Sequence, residues 1–382
     1  MKNSFENNTI MLYPEGHIDT SNAESVGAEI AEIRQAHPDS GIVMDCEALE
    51  YLSSAGLRQV LKLKKSCSDL KLINVSPEVY DVFEMTGFTE MMDIEKGYRR
   101  MEVNGCEVLG EGSNGIVYRY NADTIVKVYK NADAINDIQR ERELAKRALV
   151  MGINTAIPYD VVKVGSNYAS VFELLSSKSL SKWIIEDPEN KDKYIKIFAD
   201  FLRGIHNTLV PKDTLPSEKM VVEGWASYLE SHLDAAHYEK LNRMIAEVPE
   251  TDYMIHGDYH TNNIHYDGEE AIIIDMDTIA VGHPVFEMGS IFNAYVGFGL
   301  VDHTSTERFL KIDYGTCGYI WKKFLQFYYE KEDVTQEELQ AKIVGLTRVL
   351  RRTIKREPEN TALIEESRKQ LTEAIDAVDT LL

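Results

Sequence analysis

Residues 256–275 read HGDYHTNNIHYDGEEAIIID, and the spacing of their polar groups decides how the chain is read. Asp258 follows His256 and Gly257, Asn263 stands five places further on, and an apolar run over 271–274 ends in Asp275. Moving a phosphoryl group from ATP needs a carboxylate to orient the acceptor hydroxyl and two oxygen ligands to hold Mg²⁺ on the phosphates. Asp258 offers the first, and Asn263 with Asp275 the second. A polar loop ahead of a buried strand would carry the same letters, so the decision passes to the residues upstream.

Residues 109–130 read LGEGSNGIVYRYNADTIVKVYK. Gly110, Gly112 and Gly115 form G-x-G-x-x-G, with Val117 two places on. Dinucleotide-binding folds share the triplet, but their glycines open a helix. Here Ile116, Val117 and Tyr118 have the β-branched and aromatic bias of a strand. Strand, glycine loop and second strand make the phosphate-covering hairpin of the protein-kinase-like fold. Lys127 falls in an apolar strand over 125–129, where an unpaired lysine is costly to bury. A lysine snorkelling from a sheet edge is the plain alternative. The order of glycine loop, lysine, H-G-D and aspartate favours a lysine that grips the α- and β-phosphates. A helix is expected over 134–151, rich in Glu, Arg, Ala and Leu. Glu141 and Glu143 are both candidates to orient Lys127, and being two residues apart they cannot face the same way. No G-x-x-x-x-G-K-[ST] occurs, which excludes a P-loop enzyme.

From about residue 101 to 382 the chain resembles the aminoglycoside phosphotransferase and choline kinase group, small-molecule kinases with a protein-kinase-like fold. The resemblance is carried by the glycine triplet, Lys127, RERE around Glu141, GINTAIPYD at 152–160 and VFELL with Glu173. It continues through FLRGIHN near His206, HGDYHTNN and IIIDMDT. It implies an α+β two-lobed domain over 98–382, with an N-lobe at about 101–175 and a C-lobe at about 176–382. It implies ATP over Gly110, Gly112, Gly115, Val117, Lys127, Glu141 and Glu173; Glu141 is preferred to Glu143 because it lies at the group's spacing before Gly152. Asp258 then acts on the acceptor hydroxyl, Asn263 and Asp275 hold Mg²⁺, and Asp277 takes a second metal contact or binds the acceptor. Gly257 stands where regulated protein kinases have arginine, and Asp275-Met276-Asp277 replaces Asp-Phe-Gly with no Ala-Pro-Glu after it. No activation segment is therefore expected. Glu287 occupies a position where this group more usually has aspartate. His256 is expected to brace the loop by hydrogen bonding, and His260 and His265 to be structural.

The first hundred residues alternate strands and helices, an α/β unit of ordinary domain size. Strands are expected over 10–13, 41–45 and 70–75. Helices are expected over 21–35, capped by Ser21 or Asn22, after Ser54, and over 77–86 with a stop at Gly87. Residues 1–97 resemble the STAS domain of bacterial anti-sigma-factor antagonists through GHIDTSNA (16–23), IVMDCEALEYLSSAGLR (42–58) and LKLINVSPEVYDVFEMTGF (70–88). In that family a serine at the start of the second helix is phosphorylated by a partner kinase, and binding to the partner is broken. The resemblance makes Ser54, with Ser53 beside it, the candidate phosphoserine, although the usual Asp-Ser-Ser/Thr-Gly is here Ser53-Ser54-Ala55-Gly56. Ser54 also reads as a plain helix N-cap worth roughly 1 kcal/mol. A phosphate there would meet exposed N–H groups and the positive end of the helix dipole. The boundary between the modules is expected in the short polar stretch 95–102.

A hydrophobic share of 44% in 382 residues suits packed cores. There is no run of eighteen apolar residues and no apolar signal core at the start, so no membrane span is expected and the cytoplasm is the expected compartment. Cys46, Cys67, Cys106 and Cys317 are scattered without C-x-x-C, which indicates neither a zinc site nor a disulfide framework. A net charge of −22 argues against nucleic acid and would steer cationic acceptors such as amines. The basic cluster over 348–356 is expected to be a solvated helix face. The expectation as a whole is an Mg²⁺- and ATP-dependent phosphotransferase acting on a hydroxyl of a small molecule, with a regulatory STAS module that offers a surface to a protein partner. The alternatives are a protein-directed kinase acting on Ser54 and a nucleotide-binding partner-switch protein.

Overall fold

A computed structural model describes residues 1–112 and 114–382. The chain divides into two compact units, Met1–Gly105 with Val161–Ala169, and Cys106–Asp160 with Ser170–Leu382.

In the first unit β1 (Lys2–Glu6) and β2 (Thr9–Tyr13) form a hairpin whose two loop residues, Asn7 and Asn8, both have positive φ. That turn matches the twist of paired strands, and asparagine tolerates it. Then come β3 (Gly16–Ile18), α1 (Ala23–Ala36), β4 (Gly41–Asp45), β5 (Leu49–Leu52), α2 (Ser54–Ser66), β6 (Leu70–Val75), α3 (Pro77–Met85) and β7 (Asp93–Lys96). The sheet runs β1-β2-β4-β6-β7, parallel from β2 onward, and β3 pairs with β5 apart from it. Ile10, Leu12, Ile42, Met44, Leu70 and Leu72 alternate with less buried neighbours, the period-two pattern of strands. Leu57, Val60 and Leu63 of α2 and Val79 and Phe83 of α3 share their core at helical spacing.

Two local expectations are corrected. Ser53, not Ser54, caps α2: its hydroxyl accepts from the N–H groups of Ala55 (3.2 Å) and Gly56 (3.4 Å). Ser54 is the first helical residue and is exposed. Asn22 precedes α1 without capping it by its side chain, because its Oδ1 accepts from Asp19 N–H (2.9 Å) instead. β7, the edge strand beside β6, ends at Lys96.

From Cys106 the chain forms β8 (Glu107–Glu111), β9 (Gly115–Arg119) and β10 (Thr124–Tyr129), then α4 (Ile135–Val150), β11 (Pro158–Val164) and β12 (Asn167–Glu173). Sheet order is β11-β12-β10-β9-β8. The glycine loop joins antiparallel β8 and β9, and Val117 stands opposite Lys127 across β9 and β10. A Cβ on Gly115 would sit 2.5 Å from the Val128 carbonyl oxygen, so the loop re-enters the sheet at a position only glycine fits. Helix α4 buries Ile138, Glu141, Leu144, Ala145 and Ala148 along one stripe, which places Glu141 inward and leaves Glu143 exposed.

The rest is mainly helical: β13 (Lys178–Ser179), α5 (Leu180–Glu186), α6 (Lys191–His206), α7 (Glu218–Tyr228) and α8 (Ala235–Glu247), then the short strands β14 (Met254–Ile255), β15 (Ile264–Tyr266), β16 (Ala271–Ile273) and β17 (Ala280–Val281). Helices α9 (Pro284–Tyr295), α10 (His303–Leu310), α11 (Tyr314–Tyr329), α12 (Thr335–Arg356) and α13 (Thr361–Ala377) complete it. The aromatic residues of α11 go into the core, where Trp321 and Phe324 are buried with Phe198 of α6 and Phe292 of α9. Helices α9 and α12 meet at glycine. A Cβ on Gly289 would lie 2.5 Å from Val344 Cγ1, and one on Gly345 would lie 2.8 Å from the Gly289 oxygen. This crossing corrects part of a further expectation, because the three arginines that open the basic cluster do not lie on a solvated face, while Lys355 and Arg356 are exposed. Arg348, Arg351 and Arg352 are half-buried, their guanidinium carbons 5.4, 5.7 and 5.4 Å from the ring centres of Trp225, Tyr228 and Phe298.

Candidate active site

The loop between β14 and β15 carries Asp258 and Asn263, and α9 holds its first residues in place. Glu287, fully buried, accepts from the backbone N–H groups of His256 and Gly257, the latter at 3.0 Å. Gly257 has φ +84°, and a Cβ there would stand 2.7 Å from the Thr278 carbonyl oxygen. The arginine of regulated kinases could not be accommodated in this backbone. The Thr278 hydroxyl donates to the His256 carbonyl at 2.7 Å, closing the same knot from the other side. His256 is fully buried and its Nδ1 accepts from Asp258 N–H at 3.3 Å. Burial pushes its pKa down, and the neutral ring acts as a brace, as expected.

Asp258 keeps its carboxylate partly open, with 45% of the side chain exposed and Oδ2 at 3.6 Å from His260 Nε2. Burial raises its pKa, but the hydrogen bond and charge of His260, with the charge of Arg348, outweigh this and hold it below the usual carboxylate range. It is therefore ionised at neutral pH, ready to accept a proton or orient a hydroxyl. Asn263 Nδ2 donates to the Asp258 carbonyl at 3.1 Å. The Asn263 backbone oxygen takes the Ile274 N–H at 2.9 Å, tying the loop to the strand that leads into Asp275.

A second group forms around Lys127. Its ammonium lies 2.8 Å from Glu141 Oε1 and 3.2 Å from Asp275 Oδ1. The other Glu141 oxygen accepts from the Tyr129 hydroxyl, and Glu141 is buried. Burial opposes the charge on Lys127, but Asp275 and Glu141 more than offset it, so the pKa is raised and the ammonium persists. Asp275 has φ +66°, a strained setting for a non-glycine residue of the kind found at functional sites. Asp277 is pushed up to about 7 by burial and by the charges of Asp275 and Glu141. A cavity of about 350 Å³ opens beside it, lined by Lys130, Asp137, Arg140, Glu141 and Asp277 among others.

The expected ligands for Mg²⁺ fit it chemically. Asn263 and Asp275 supply hard oxygens, and among the described residues the Asn263 side-chain oxygen makes no hydrogen bond. Of the nucleotide residues, Gly110 and Gly112 are exposed in the hairpin and Val117 faces Lys127. Glu173 ends β12 and its Oε1 accepts from Ile157 N–H at 2.8 Å, so its carboxylate serves the sheet and joins neither group. Sequence reasoning missed three residues. His260, expected to be structural, stands beside Asp258. Arg348, expected on a solvated face, is half-buried. Glu218, at the start of α7, is pushed up to about 7 by burial and the nearby Glu287. Only the i+2 spacing of His260 from Asp258 offered a local signal; the other two depend on long-range packing. His265 lies on β15 with Nδ1 3.4 Å from the Ser177 hydroxyl, consistent with a structural role.

Comparison with known proteins identifies the family of each part of the chain. The model of the STAS domain matches residues 2–101, and that of the phosphotransferase enzyme family matches residues 106–309, just over half of the chain. BtrV of Bordetella bronchiseptica, whose name provisionally makes it an anti-sigma factor antagonist, is 37% identical over 87 residues, covering 21% of this chain and 72% of its own. Similar solved structures include ADP-bound aminoglycoside phosphotransferase APH(2'')-Ib, at 18% identity, 71% of this chain, 94% of that one and a TM-score of 0.49. A thermostable mutant of APH(4)-Ia in its apo form matches at 12% identity, with 71% and 94% coverage and a TM-score of 0.49. The chain belongs to the phosphotransferase enzyme family, with a STAS domain ahead of the phosphotransferase domain.

Proposed function

We propose that the second unit transfers the γ-phosphoryl group of ATP to a hydroxyl of a small molecule. The observation that carries this reading is the half-buried Lys127 ammonium shared between Glu141 and Asp275, with ionised Asp258 on the loop that leads to the same aspartate. Lys127 would meet the α- and β-phosphates, and the hairpin from Gly110 to Gly115 would cover them with backbone N–H groups. Val117 supplies apolar surface beside Lys127, and the base would lie near the end of β12 at Glu173. Asn263 and Asp275 would hold Mg²⁺, which supplies charge neutralisation on the phosphates when bound. Asp258 orients the acceptor hydroxyl and receives its proton as the acceptor oxygen bonds to the γ-phosphorus, while the bond to the β–γ bridging oxygen breaks and ADP departs. ATP as donor fits a cytoplasmic enzyme.

The first unit serves in this reading as a regulatory surface for a protein partner, with Ser54 as the modifiable residue. Its support is the division of labour at α2: Ser53 caps the helix, so the exposed Ser54 hydroxyl is not needed for capping.

The test is ADP release from Mg-ATP with and without a protein-free metabolite extract, using Asp258→Asn as the blank. Turnover should require the extract and fall at least ~10²-fold in the variant while ATP still binds. Unchanged turnover in the variant would remove Asp258 from the mechanism.

A further inference from the structure

The cavity of about 350 Å³ beside Asp277 shares its walls with the group around Lys127. Glu141 lines it and is also the partner of the Lys127 ammonium at 2.8 Å. Asp277 lines it two residues after Asp275, which stands 3.2 Å from the same ammonium. Asn114 adds a wall from the glycine hairpin, where it lies between Gly112 and Gly115. The remaining walls come from the end of β10 and the first turns of α4, which bring Lys130 and Arg140. A volume of this size lies in the range of small-ligand sites.

Lys127 and Lys130 are already engaged. Lys127 divides its charge between Glu141 and Asp275, which leaves little to balance the far end of a triphosphate. Lys130 reaches Glu111 at 2.7 Å and the Gly112 carbonyl at 3.0 Å, where it ties down the glycine hairpin. Arg140 differs from both. Among the described residues it makes no hydrogen bond or ion pair, even with Asp137, one turn before it on α4 and lining the same cavity. Its position is fixed by its helix, because Ile138, Glu141 and Leu144 beside it are buried. Turning Arg140 away from the cavity would withdraw Glu141 from Lys127. A guanidinium presents a planar fork of donors that matches two oxygens of a phosphate. The carboxylates of Asp137, Glu141 and Asp277 would repel a phosphate arriving here, and Arg140 offsets that repulsion from the α4 side.

We propose that this cavity receives the γ-phosphoryl end of the nucleotide and that Arg140 is its cationic ligand. Helix α4 then holds Lys127 through Glu141 and the terminal phosphate through the residue before it. This rests on the phosphotransferase reading and adds to it a residue that tells ATP from ADP. The α- and β-phosphates, common to both nucleotides, stay with Lys127 and the hairpin, and only the γ-phosphate reaches Arg140. Transfer of that group to the acceptor removes the contact and favours release of ADP.

The test titrates the full chain with Mg-ADP and with a non-hydrolysable Mg-ATP analogue carrying a methylene between the β- and γ-phosphorus atoms, and reads binding by calorimetry. Arg140→Ala should weaken the triphosphate at least ~10-fold and leave ADP within about 2-fold of wild type. Arg140→Lys, which keeps the charge but loses the fork, should fall between. Arg140→Gln, an equally good helix former, gives a second reading with the helix undisturbed. Lys127→Ala should weaken both nucleotides. An unchanged triphosphate affinity in Arg140→Ala and Arg140→Gln overturns the assignment of Arg140 and leaves the phosphotransferase reading standing. So does an equal loss for both nucleotides in variants that melt as wild type does. Failure of the wild type to bind either nucleotide overturns both.

Discussion

At the scale of the residue, the site depends on positions where a single atom decides. Gly257 has φ +84° and no room for a Cβ beside the Thr278 oxygen. Gly257→Ala should therefore cost about 1–3 kcal/mol and lower turnover by displacing Asp258, as read from a urea melt and from the ADP assay. The two serines of α2 separate in the same way. Ser53→Ala removes a cap and should lower stability by about 1 kcal/mol, whereas Ser54→Ala should stay within about 0.5. Ser54→Asp should weaken binding to a protein partner without unfolding the first unit. Equal partner binding by wild type and Ser54→Asp would strip Ser54 of a switching role. Much at this scale was legible in the sequence. H-G-D, the asparagine five places on and the second aspartate form one short stretch, and a local motif keeps its spacing when it folds. Ser53 was missed because two adjacent serines are equally good caps on paper, and only the helix start decides between them.

At the scale of the element, α9 is the part on which the site is hung. Glu287 uses its carboxylate to satisfy two buried backbone N–H groups of the Asp258 loop. Glu287→Ala would leave both without a partner and should cost roughly 2–5 kcal/mol, visible as a lower Tm with activity lost in parallel. An equal Tm would show that the loop is held by other means. Glu218 on α7 gives a pH signature. Its carboxyl is raised from an ordinary 4.5 to about 7, so folding favours the protonated form. The stability this gives is complete below pH 4.5 and is lost as pH rises through 7, by roughly 3 kcal/mol in total. Glu218→Gln should flatten that decline between pH 5 and pH 8 in a denaturant titration; an unaltered slope would assign it to another group. The elements themselves were largely readable, since periods of two and of 3.6 residues mark β2, β4, α2 and α4 directly. The first strand was missed although Asn7-Asn8 is a good hairpin turn, because five mostly exposed residues show no alternation. Arg348 was misread for the complementary reason. A cluster of arginines looks solvated until Gly289 and Gly345 show how close the neighbouring helix comes.

At the scale of the whole molecule, two units that match different families share one chain, and each has its own hydrophobic core. No described helix is long and apolar enough to cross a membrane. The second unit is built around a cation fixed between carboxylates and an ionised aspartate on a braced loop, the parts that phosphoryl transfer from a nucleotide requires. The first presents an exposed serine at a helix start, a setting in which a phosphate would be well received. The measurement that tests this account most directly follows the label from γ-³²P-ATP and Mg²⁺ in the presence of a metabolite extract. Label should appear in a small-molecule phosphomonoester, and Asp258→Asn should abolish its formation. Label found only in inorganic phosphate or on the protein chain would contradict the account, and label on Ser54 would make the chain itself the acceptor.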